Sequence, residues 1–482
     1  MPEELHSRGT VLPESGKRNI LITSALPYVN NVPHLGNLIG SVLSADVFSR
    51  YCRGRGINTL YVCGTDEYGT TSEARALVEN CTPQELCDKY YVIHAAVYKW
   101  FNIDFDTFGR TTTKLQTDIT QDIFLKLNHN GFLKEHRFVE GGCPVCGYVD
   151  TRGDQCDFCG QLLDPTDLKN PRCKIDGATP VTKDTKHIFL ELDKLQPEIE
   201  TFFEQSASEG VWSSNGKEIT TAWLKEGLKP RSITRDMKWG TEVPLPGYED
   251  KEDLSLETSD SEFNWDTFIA SNNNLLLNNL SNFVSRVVKF ANSRHYFNSV
   301  VPNYADDSKY SFDTWKGEIN TLLTHYIKSL DAVKLRAGLS TVLQVSQKGN
   351  SFLQSNSLDN KLAENEPSKC AAMIGFAINL IHLLASVVAP YMRETAKSIN
   401  TQLRADPLPI LDHWNADSIK PGHEIGKAMY LFSPIKPEKG PEWREMFGSE
   451  EAKKVKEEQA ARKATKKAAR KAGKSALKEV KG

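Results

Sequence analysis

Apolar and polar positions at the start of the chain follow the order expected for a βαβ unit. Residues 19–28 form a mostly apolar run, NILITSALPY, which predicts a buried strand. After a short loop, residues 38–53 carry apolar side chains at every third or fourth position, which predicts a helix. Residues 58–63 predict a second strand. Because strand, helix and strand are the first elements of a parallel sheet, we expect an α/β domain here.

The pattern loses its regularity in the middle of the chain. Residues 112–230 lack clear periodicity and contain a group of cysteines, which indicates a separate insert. Residues 232–243 lack periodicity too, so we interpret them as a loop, and the acidic residues 249–262, also without periodicity, as a linker.

The remaining chain has the pattern of an all-α domain. Apolar residues recur at spacings of three and four in three segments. They are residues 272–291, 318–345 and 367–403. The longest apolar stretch, residues 370–391, contains Asn379, His382 and Pro390, so we interpret it as a buried helix and expect no membrane partner.

Charge is unevenly distributed, although the composition is ordinary for a globular protein. The 482 residues are 39% hydrophobic and 25% charged, with a net charge of −3. Residues 451–482 contain twelve Lys or Arg and four Glu, so they carry +8 and the remainder carries −11. This basic segment is either a solvated, partly helical tail or a segment attracted to phosphate groups. Since no apolar run follows a basic start, we expect a cytoplasmic protein without a secretory signal.

The loop after the first strand carries the pattern His34-Leu35-Gly36-Asn37. It precedes the predicted helix, whose N-terminus would offer free N–H groups and a positive dipole end to an anion. Gly36 lets a nucleotide approach the backbone, and His34 and Asn37 carry donors for phosphate oxygens. For the tetrapeptide alone, a turn with an incidental histidine is the simpler interpretation. However, the second strand ends in CGTDEYG, residues 63–69, and both segments fall where open α/β sheets bind ligands.

These two segments resemble the start of the catalytic domain of methionyl-tRNA synthetases, a class I aminoacyl-tRNA synthetase family. The resemblance lies in ITSALPYVNNVPHLGN, residues 22–37, and YVCGTDEYGT, residues 61–70. The HLGN pattern is similar to the HIGH signature of that class, in a form that points to the eukaryotic cytosolic type. The resemblance implies an ATP-dependent ligase, with Mg²⁺ as part of the ATP complex, that activates methionine and transfers it to tRNA-Met.

The resemblance also implies roles for individual residues. The methionine pocket would contain Leu26, Tyr28 and Asp66. The carboxylate of Asp66 would pair with the substrate ammonium in a charge-assisted hydrogen bond. His34, Gly36 and Asn37 would bind ATP, and His34 and Asn37 would be the catalytic groups that contact its phosphates. Arg235 matches a family position near the active site.

Four of the ten cysteines form two CxxC pairs that predict a metal site. They are Cys143, Cys146, Cys156 and Cys159. Four thiolates suit tetrahedral Zn²⁺ with no open position, so the zinc would be structural. Unliganded thiols are the alternative. The family resemblance agrees with zinc, because it implies zinc knuckles in an insert between the two halves of the catalytic sheet.

The segment NNLSNFVSRVVKFAN, residues 278–292, resembles the anticodon-reading helix of the same family. Asn282 and Arg286 are four residues apart and share a helix face, where they can contact bases; ordinary surface polarity is the alternative. The resemblance implies that they contact the CAU anticodon. It also places Trp414 where the family has a tryptophan that stacks on a base, with a buried structural tryptophan as the alternative.

One part of the family pattern is missing. In the family, the region around residue 248 continues into the second half of the Rossmann sheet, which carries the lysine-rich KMSKS loop. Here residues 249–256 lead directly into a segment similar to the start of the anticodon domain, and the chain contains no KMSKS-like run. Loss of one transition-state donor costs about 10²–10³ in rate, so we predict little or no methionine activation. Half a sheet would also leave an apolar edge and face uncovered.

Two alternatives to an active ligase follow from this gap. One is a non-catalytic tRNA-binding protein that uses the helical domain and the basic tail, with tRNA or a protein as the partner of the tail. The other is a skipped or mispredicted exon, which the transcript across the codons for residues 248–257 would reveal.

The expected architecture is therefore α/β plus all-α. An incomplete Rossmann-type catalytic domain with a zinc-knuckle insert is followed by a helical-bundle anticodon-binding domain. The predicted segments are a disordered N-terminus (1–17), the first Rossmann half (18–115), the insert (116–230), a catalytic remnant with the acidic linker (231–256), the anticodon domain (257–435) and a basic Ala/Lys-rich tail (436–482).

Overall fold

The computed structural model describes most of the chain, which divides into two compact units. The described residues are 11–136, 187–236, 239–246, 251–253, 265–304 and 310–447. The first unit comprises Met1–Ser261 with Lys328–Leu335, and the second comprises Glu262–Ile327 with Arg336–Gly482. The named strands all belong to the first unit, and the described elements of the second are helices. The prediction of an α/β part followed by an all-α part is confirmed.

Three parallel strands form the main sheet of the first unit. They are β1 (Asn19–Thr23), β2 (Asn58–Thr65) and β3 (Thr107–Arg110), in the order β1-β2-β3. Ile22 lies opposite Tyr61, and Val62 lies opposite Thr107. Between β1 and β2 a π-helical segment, Asn37–Leu43, continues as α1 (Ser44–Gly54), so the predicted βαβ unit is confirmed.

Two helices connect β2 to β3. They are α2 (Thr70–Glu79) and α3 (Pro83–Trp100). The start of α3 is a capping box, in which Thr82 Oγ1 accepts from the Glu85 N–H and the Glu85 carboxylate accepts from the Thr82 N–H. Pro83 occupies the first turn, where no N–H partner is needed, so local sequence is enough to begin this helix.

One face of the main sheet is packed, whereas the other face is exposed at β1 and half-buried at β2 among the described residues. Ile22 and Tyr61 point into a core that also contains Leu38, Val42 and Tyr98. Side chains alternate across a strand, so Leu21 of β1 points to the opposite face, where it is 65% exposed. This open face agrees with the uncovered apolar surface predicted for half a sheet.

The region interpreted as an irregular insert contains regular helices in its described part. They are α4 (Lys114–His129), α5 (Leu192–Glu209) and α6 (Ser214–Glu226). No described residue of α5 or α6 is buried, which explains why their apolar pattern was weak. A small antiparallel sheet joins β4 (Leu133–His136), β5 (His187–Leu190) and β6 (Arg231–Ser232).

The interpretation of residues 232–243 as a loop and of residues 249–262 as an acidic linker was wrong in part. The strand β7 (Thr234–Asp236) pairs antiparallel with β8 (Lys251–Asp253). Each strand has three residues, which is too short for a period-two pattern to show, and pairing across the intervening chain creates them. The segment interpreted as an acidic linker therefore contributes a strand.

Eight described α-helices lie wholly or mostly in the second unit. They are α7 (Trp265–Ala270), α8 (Asn282–Ala291), α9 (Asp313–Asp331), α10 (Leu335–Ser355), α11 (Asn360–Asn365), α12 (Pro367–Val388), α13 (Arg393–Leu403) and α14 (Lys439–Phe447). A π-helical segment, Ser271–Ser281, joins α7 to α8. The three predicted helical segments are present, but two of them are broken.

The breaks fall at turns that the apolar spacing does not mark. Residues 318–345 span α9 and α10, and between these helices Val333 has a positive φ of 53°. Residues 367–403 span α12 and α13, with Pro390 in the gap between them. Proline removes a backbone donor and ends a helix, and that signal was present in the sequence.

The apolar helix α12 is the centre of the second unit. It is long and apolar enough to cross a membrane by length and composition, but 94% of its most apolar window is buried inside the protein. Its polar residues have partners: Asn379 Nδ2 donates to the Ile419 carbonyl over 3.1 Å, and His382 Nε2 lies 2.9 Å from the Asp406 carbonyl. The interpretation of this stretch as a buried helix is confirmed.

Candidate functional site

The fold brings together the loop after β1 and the end of β2. The Asp66 N–H donates to the Pro27 carbonyl over 2.9 Å, and the Val29 N–H donates to the Asp66 carbonyl over 3.2 Å. Tyr28 and Asp66 thereby form a parallel bridge. Asp66 is 6% exposed, Tyr28 is half-buried and Leu26 is 43% exposed. The three residues that the resemblance assigns to a methionine pocket thus lie at one edge of the sheet.

A buried ion pair holds the residue next to Asp66. Glu67 is fully buried, and its Oε1 accepts from Arg110 Nε over 2.6 Å and from Thr65 Oγ1 over 2.8 Å. Arg110 also donates to Asp88 over 2.6 Å. Breaking such a buried pair is costly, so this network fixes the backbone that presents Asp66. Sequence reasoning missed Glu67 and Arg110, because only the parallel pairing of β2 and β3 makes them neighbours.

The chain returns to this edge after β7. Trp239 Nε1 donates to the Glu67 carbonyl over 2.7 Å, and the Gly69 N–H donates to the Trp239 carbonyl over 3.4 Å. The Trp239 ring meets Tyr68 edge-on, with the ring centroids 5.5 Å apart. Arg235 lies upstream in β7, opposite Glu252 of β8. The contacts of this segment with the sheet edge come from Trp239, which lies four residues after Arg235.

The HLGN loop folds on itself rather than leaving its first N–H groups open. Nδ1 of His34 accepts from the Gly36 N–H over 3.1 Å and from the Asn37 N–H over 3.4 Å. Asn37 Oδ1 accepts from the His34 N–H over 3.4 Å. The expectation that both backbone donors are free for an anion is therefore corrected. Because Nδ1 is an acceptor, the neutral ring carries its proton on Nε2, which leaves a side-chain donor on an exposed residue.

The His34 ring explains the glycine that follows it. A Cβ added to Gly36 would lie 2.9 Å from both Nδ1 and Cε1 of His34. Any other residue at position 36 would displace the ring and break the contact that orders it. The helix then begins with π geometry at Asn37–Leu43, an irregularity that is frequent at functional sites.

A buried histidine of α3 holds the loop that leads from β1 to the HLGN residues. His94 of α3 is 1% exposed; its Nε2 donates to the Asn31 carbonyl over 2.8 Å, and its Nδ1 accepts from Tyr98 Oη over 3.2 Å. Burial lowers the pKa of His94, so the ring stays neutral at physiological pH. The loop between Tyr28 and His34 is thus held to the packed core. Sequence reasoning gave no signal for His94, because its partner is a backbone atom.

In the second unit, Asn282 and Arg286 are exposed on one face of α8, whereas Phe283 and Val287 point into the core. This is the arrangement expected from their spacing. Trp414 differs: it is 2% exposed and packs against Trp315, with ring centroids 5.8 Å apart. An enclosed indole cannot stack on a base, so the observed arrangement is the alternative of a structural tryptophan.

The predicted metal ligands fall outside the described residues. They are Cys143, Cys146, Cys156 and Cys159. Within the described ranges, no group of three or more His, Cys, Asp or Glu side chains is arranged to hold a metal ion. Burial raises the pKa of the described thiols of Cys52 and Cys63 to about 11, which makes them poor nucleophiles and ligands.

Comparison with known proteins identifies the family. Residues 20–254 match the family described as tRNA synthetases class I (M), and residues 302–452 match the anticodon binding domain of methionyl tRNA ligase. The cytoplasmic methionine–tRNA ligase of Saccharomyces cerevisiae is 42% identical over 92% of this chain and 75% of its own length. This chain belongs to the methionyl-tRNA synthetase family. The human cytoplasmic methionine–tRNA ligase is 36% identical over 94% of this chain and 64% of its own length.

A solved structure supports the fold of this family member. Mycobacterium tuberculosis methionyl-tRNA synthetase, in complex with methionyl-adenylate, aligns with a TM-score of 0.71 and 13% identity. The alignment covers 86% of this chain and 99% of that one. At this identity the similarity establishes a shared fold.

The alignment with the yeast relative also measures the internal gap. It spans 565 positions, whereas 92% of the 482 residues is about 443. About 120 aligned positions are therefore occupied by the yeast protein alone. The alignment with Schizosaccharomyces pombe methionine–tRNA ligase, 567 positions over 91% of this chain, gives a similar difference. This total agrees with the absence of the second half of the sheet from this chain.

Proposed function

We propose that this chain is a cytoplasmic methionine–tRNA ligase by descent, which binds methionine, ATP and tRNA-Met and activates methionine slowly. The observation that carries the proposal is the pairing of Pro27–Val29, in the segment that leads from β1 into the HLGN loop, with Asp66 at the end of β2, in a chain of this family. The reaction would couple methionine to AMP and then transfer it to the tRNA. Catalysis of this kind depends on positioning and charge stabilisation, which are the functions of the residues at this edge.

Methionine would bind beside the bridge between β1 and β2. Asp66 would accept hydrogen bonds from the substrate ammonium, with Leu26 and Tyr28 supplying apolar contact. The buried Glu67–Arg110 pair supports this role, because it holds the Asp66 backbone in place.

ATP would bind at the HLGN loop. The Nε2–H of His34 and the N–H₂ of Asn37 are the donors available to phosphate oxygens, because the loop N–H groups are engaged by His34 Nδ1. Mg²⁺ would enter with ATP and neutralise phosphate charge. Gly36 would act by allowing the His34 ring to lie against the loop.

A structural zinc ion would organise the insert. The donor set of Cys143, Cys146, Cys156 and Cys159 provides four thiolates, which suits Zn²⁺ without a catalytic position. Metal content of the purified chain, with and without Cys143→Ser, tests this assignment directly.

The missing segment supports the proposal of slow activation. Methionine-dependent pyrophosphate exchange should be at least about 10²-fold slower than for the yeast relative. Whatever exchange remains should fall further in Asn37→Ala, whereas Asn130→Ala, outside the site, serves as the control. Exchange at the rate of the yeast enzyme would contradict the proposal.

A non-catalytic tRNA-binding protein is the second candidate. It is favoured by the closed core of the helical unit and the +8 charge of residues 451–482. In this case tRNA binding is tight, exchange is at background, and removal of residues 451–482 reduces the salt dependence of binding. Filter binding and pyrophosphate exchange on the same preparation separate the two candidates.

A further inference from the structure

A chain of amide side chains lies behind Asn282. Its Nδ2 donates to Oδ1 of Asn350, on α10, over 3.1 Å. The Nδ2 of Asn350 in turn faces three oxygens: the Asn279 carbonyl at 3.0 Å, Asn279 Oδ1 at 3.2 Å and the Ser346 carbonyl at 3.3 Å. These four residues all belong to the second unit.

The three oxygens decide the orientation of the Asn350 amide. An N–H₂ group can face three acceptors, whereas the flipped amide would bring Oδ1 against oxygen lone pairs. Oδ1 of Asn350 therefore points at Asn282 and can only accept. Asn282 must present its N–H₂ group to Asn350.

Asn279 is itself held by hydrogen bonds, so its amide cannot turn to suit a flipped Asn350. Asn279 Nδ2 donates to the Leu343 carbonyl over 2.9 Å, and Asn279 Oδ1 accepts from Ser346 Oγ over 3.0 Å. Ser346 is fully buried. The network thus runs from the core of the helical unit to the exposed end of Asn282.

We infer that Asn350 is a positioning residue that makes Asn282 an acceptor toward RNA. Because one N–H of the Asn282 amide is donated to Asn350, the amide is held in one orientation, in which Oδ1 and the second N–H keep fixed positions toward the ligand. An acceptor facing C4 of a pyrimidine or C6 of a purine selects the amino group of cytosine or adenine over the keto oxygen of uracil or guanine. The inference rests on the proposed contact of Asn282 with the anticodon.

The test compares anticodon preference rather than affinity alone. The full chain is titrated with tRNA-Met transcripts in which the anticodon C is replaced by U, or the A by G. Asn350→Ala frees the Asn282 amide to turn, so the preference for the amino-bearing base at the position that Asn282 contacts should fall about tenfold. Asn350→Leu, which refills the space, should have the same effect.

Ser346→Ala is the matched control. It removes the hydrogen bond from Ser346 Oγ to Asn279 Oδ1 but leaves the Asn350–Asn282 contact, so it should keep the preference of the wild type. Circular dichroism of each variant reports whether the helical unit is folded.

The outcomes distinguish failure of the positioning role of Asn350 from failure of the anticodon contact of Asn282. An unchanged preference in both Asn350 variants, an equal loss in Ser346→Ala, or unfolding of both Asn350 variants overturns the positioning role. A wild-type chain that shows no preference among anticodons overturns the proposed anticodon contact, and the inference fails with it.

Discussion

The main sheet of the first unit and the helix bundle of the second differ in how completely they bury their apolar residues. In the bundle, every residue of α12 from Ala372 to Val388 is buried. In the sheet, Leu21 of β1 is 65% exposed, although neighbouring Ile22 is 7% exposed. The same strand thus has one face in a core and the other face open among the described residues.

The two regions differ because a helix bundle and a parallel sheet need different neighbouring elements to bury their apolar residues. A bundle closes when enough helices surround a central one, and α12 is surrounded. A doubly wound sheet needs further strands beside its first strand and helices on both faces. The described sheet ends at β1, in the order β1-β2-β3, so its outer edge and one face depend on chain that this protein lacks. Removal of a segment is therefore tolerable for the bundle and damaging for the sheet.

Restoring the missing segment is expected to have the largest effect on this comparison. Insertion of the yeast segment between residues 248 and 257 should raise pyrophosphate exchange by at least about 10²–10³ and cover Leu21. Hydrogen exchange of β1 amides should slow at the same time. An insert whose KMSKS lysines are replaced by alanine is the control: it should protect β1 without restoring exchange.

Truncating an apolar side chain should lower the free energy of unfolding much more in the helix bundle than on the open face of β1. Ile374→Ala in α12, where the residue is fully buried, should cost about 2–5 kcal/mol in the free energy of unfolding. Leu21→Ala should cost less than about 0.5 kcal/mol, because an exposed side chain loses little on truncation. Urea titration followed by circular dichroism measures both. Equal costs would mean that Leu21 is covered in solution.

The pH dependence of the sheet unit should show a smaller effect. Burial raises the pKa of Asp46, in α1, from 3.8 to about 6, and Arg50 at 2.6 Å offsets this only in part. The folded state therefore holds this proton more tightly than the unfolded chain. The stability that Asp46 contributes is present below pH 3.8 and is lost as the pH rises through about 6, by about 3 kcal/mol at most.

Asp46→Asn measures this contribution. The variant should lose less stability than the wild type between pH 4 and pH 6, as measured by urea midpoints. Asp118→Asn, at an exposed carboxylate on α4, is the control and should keep the wild-type slope. Parallel curves for Asp46→Asn and the wild type would show that Asp46 is charged throughout this range.

Sequence reasoning succeeded where short stretches of chain carry their own signal. The alternation of strand, loop and helix around the HLGN loop predicted the βαβ unit, and the four-residue spacing of Asn282 and Arg286 predicted a shared exposed face. It failed where partners are distant in the chain. The pairing of β7 with β8, the support of Glu67 by Arg110 and the anchoring of Asn31 by His94 join residues 15 to 63 positions apart.

The sequence by itself determined the family, the βαβ start, the buried apolar helix and the absence of a KMSKS run. Each of these features can be identified from local composition or from a contiguous motif. Only the tertiary structure decided that His34 occupies its own loop donors, that Trp414 is enclosed and that Asn350 orients Asn282. These features depend on which atoms meet across the fold, because hydrogen-bond direction and burial are properties of neighbours rather than of residue types. The open face of β1 was recognised from sequence and structure together, since the sequence showed that a segment is missing and the structure showed which residues are left exposed.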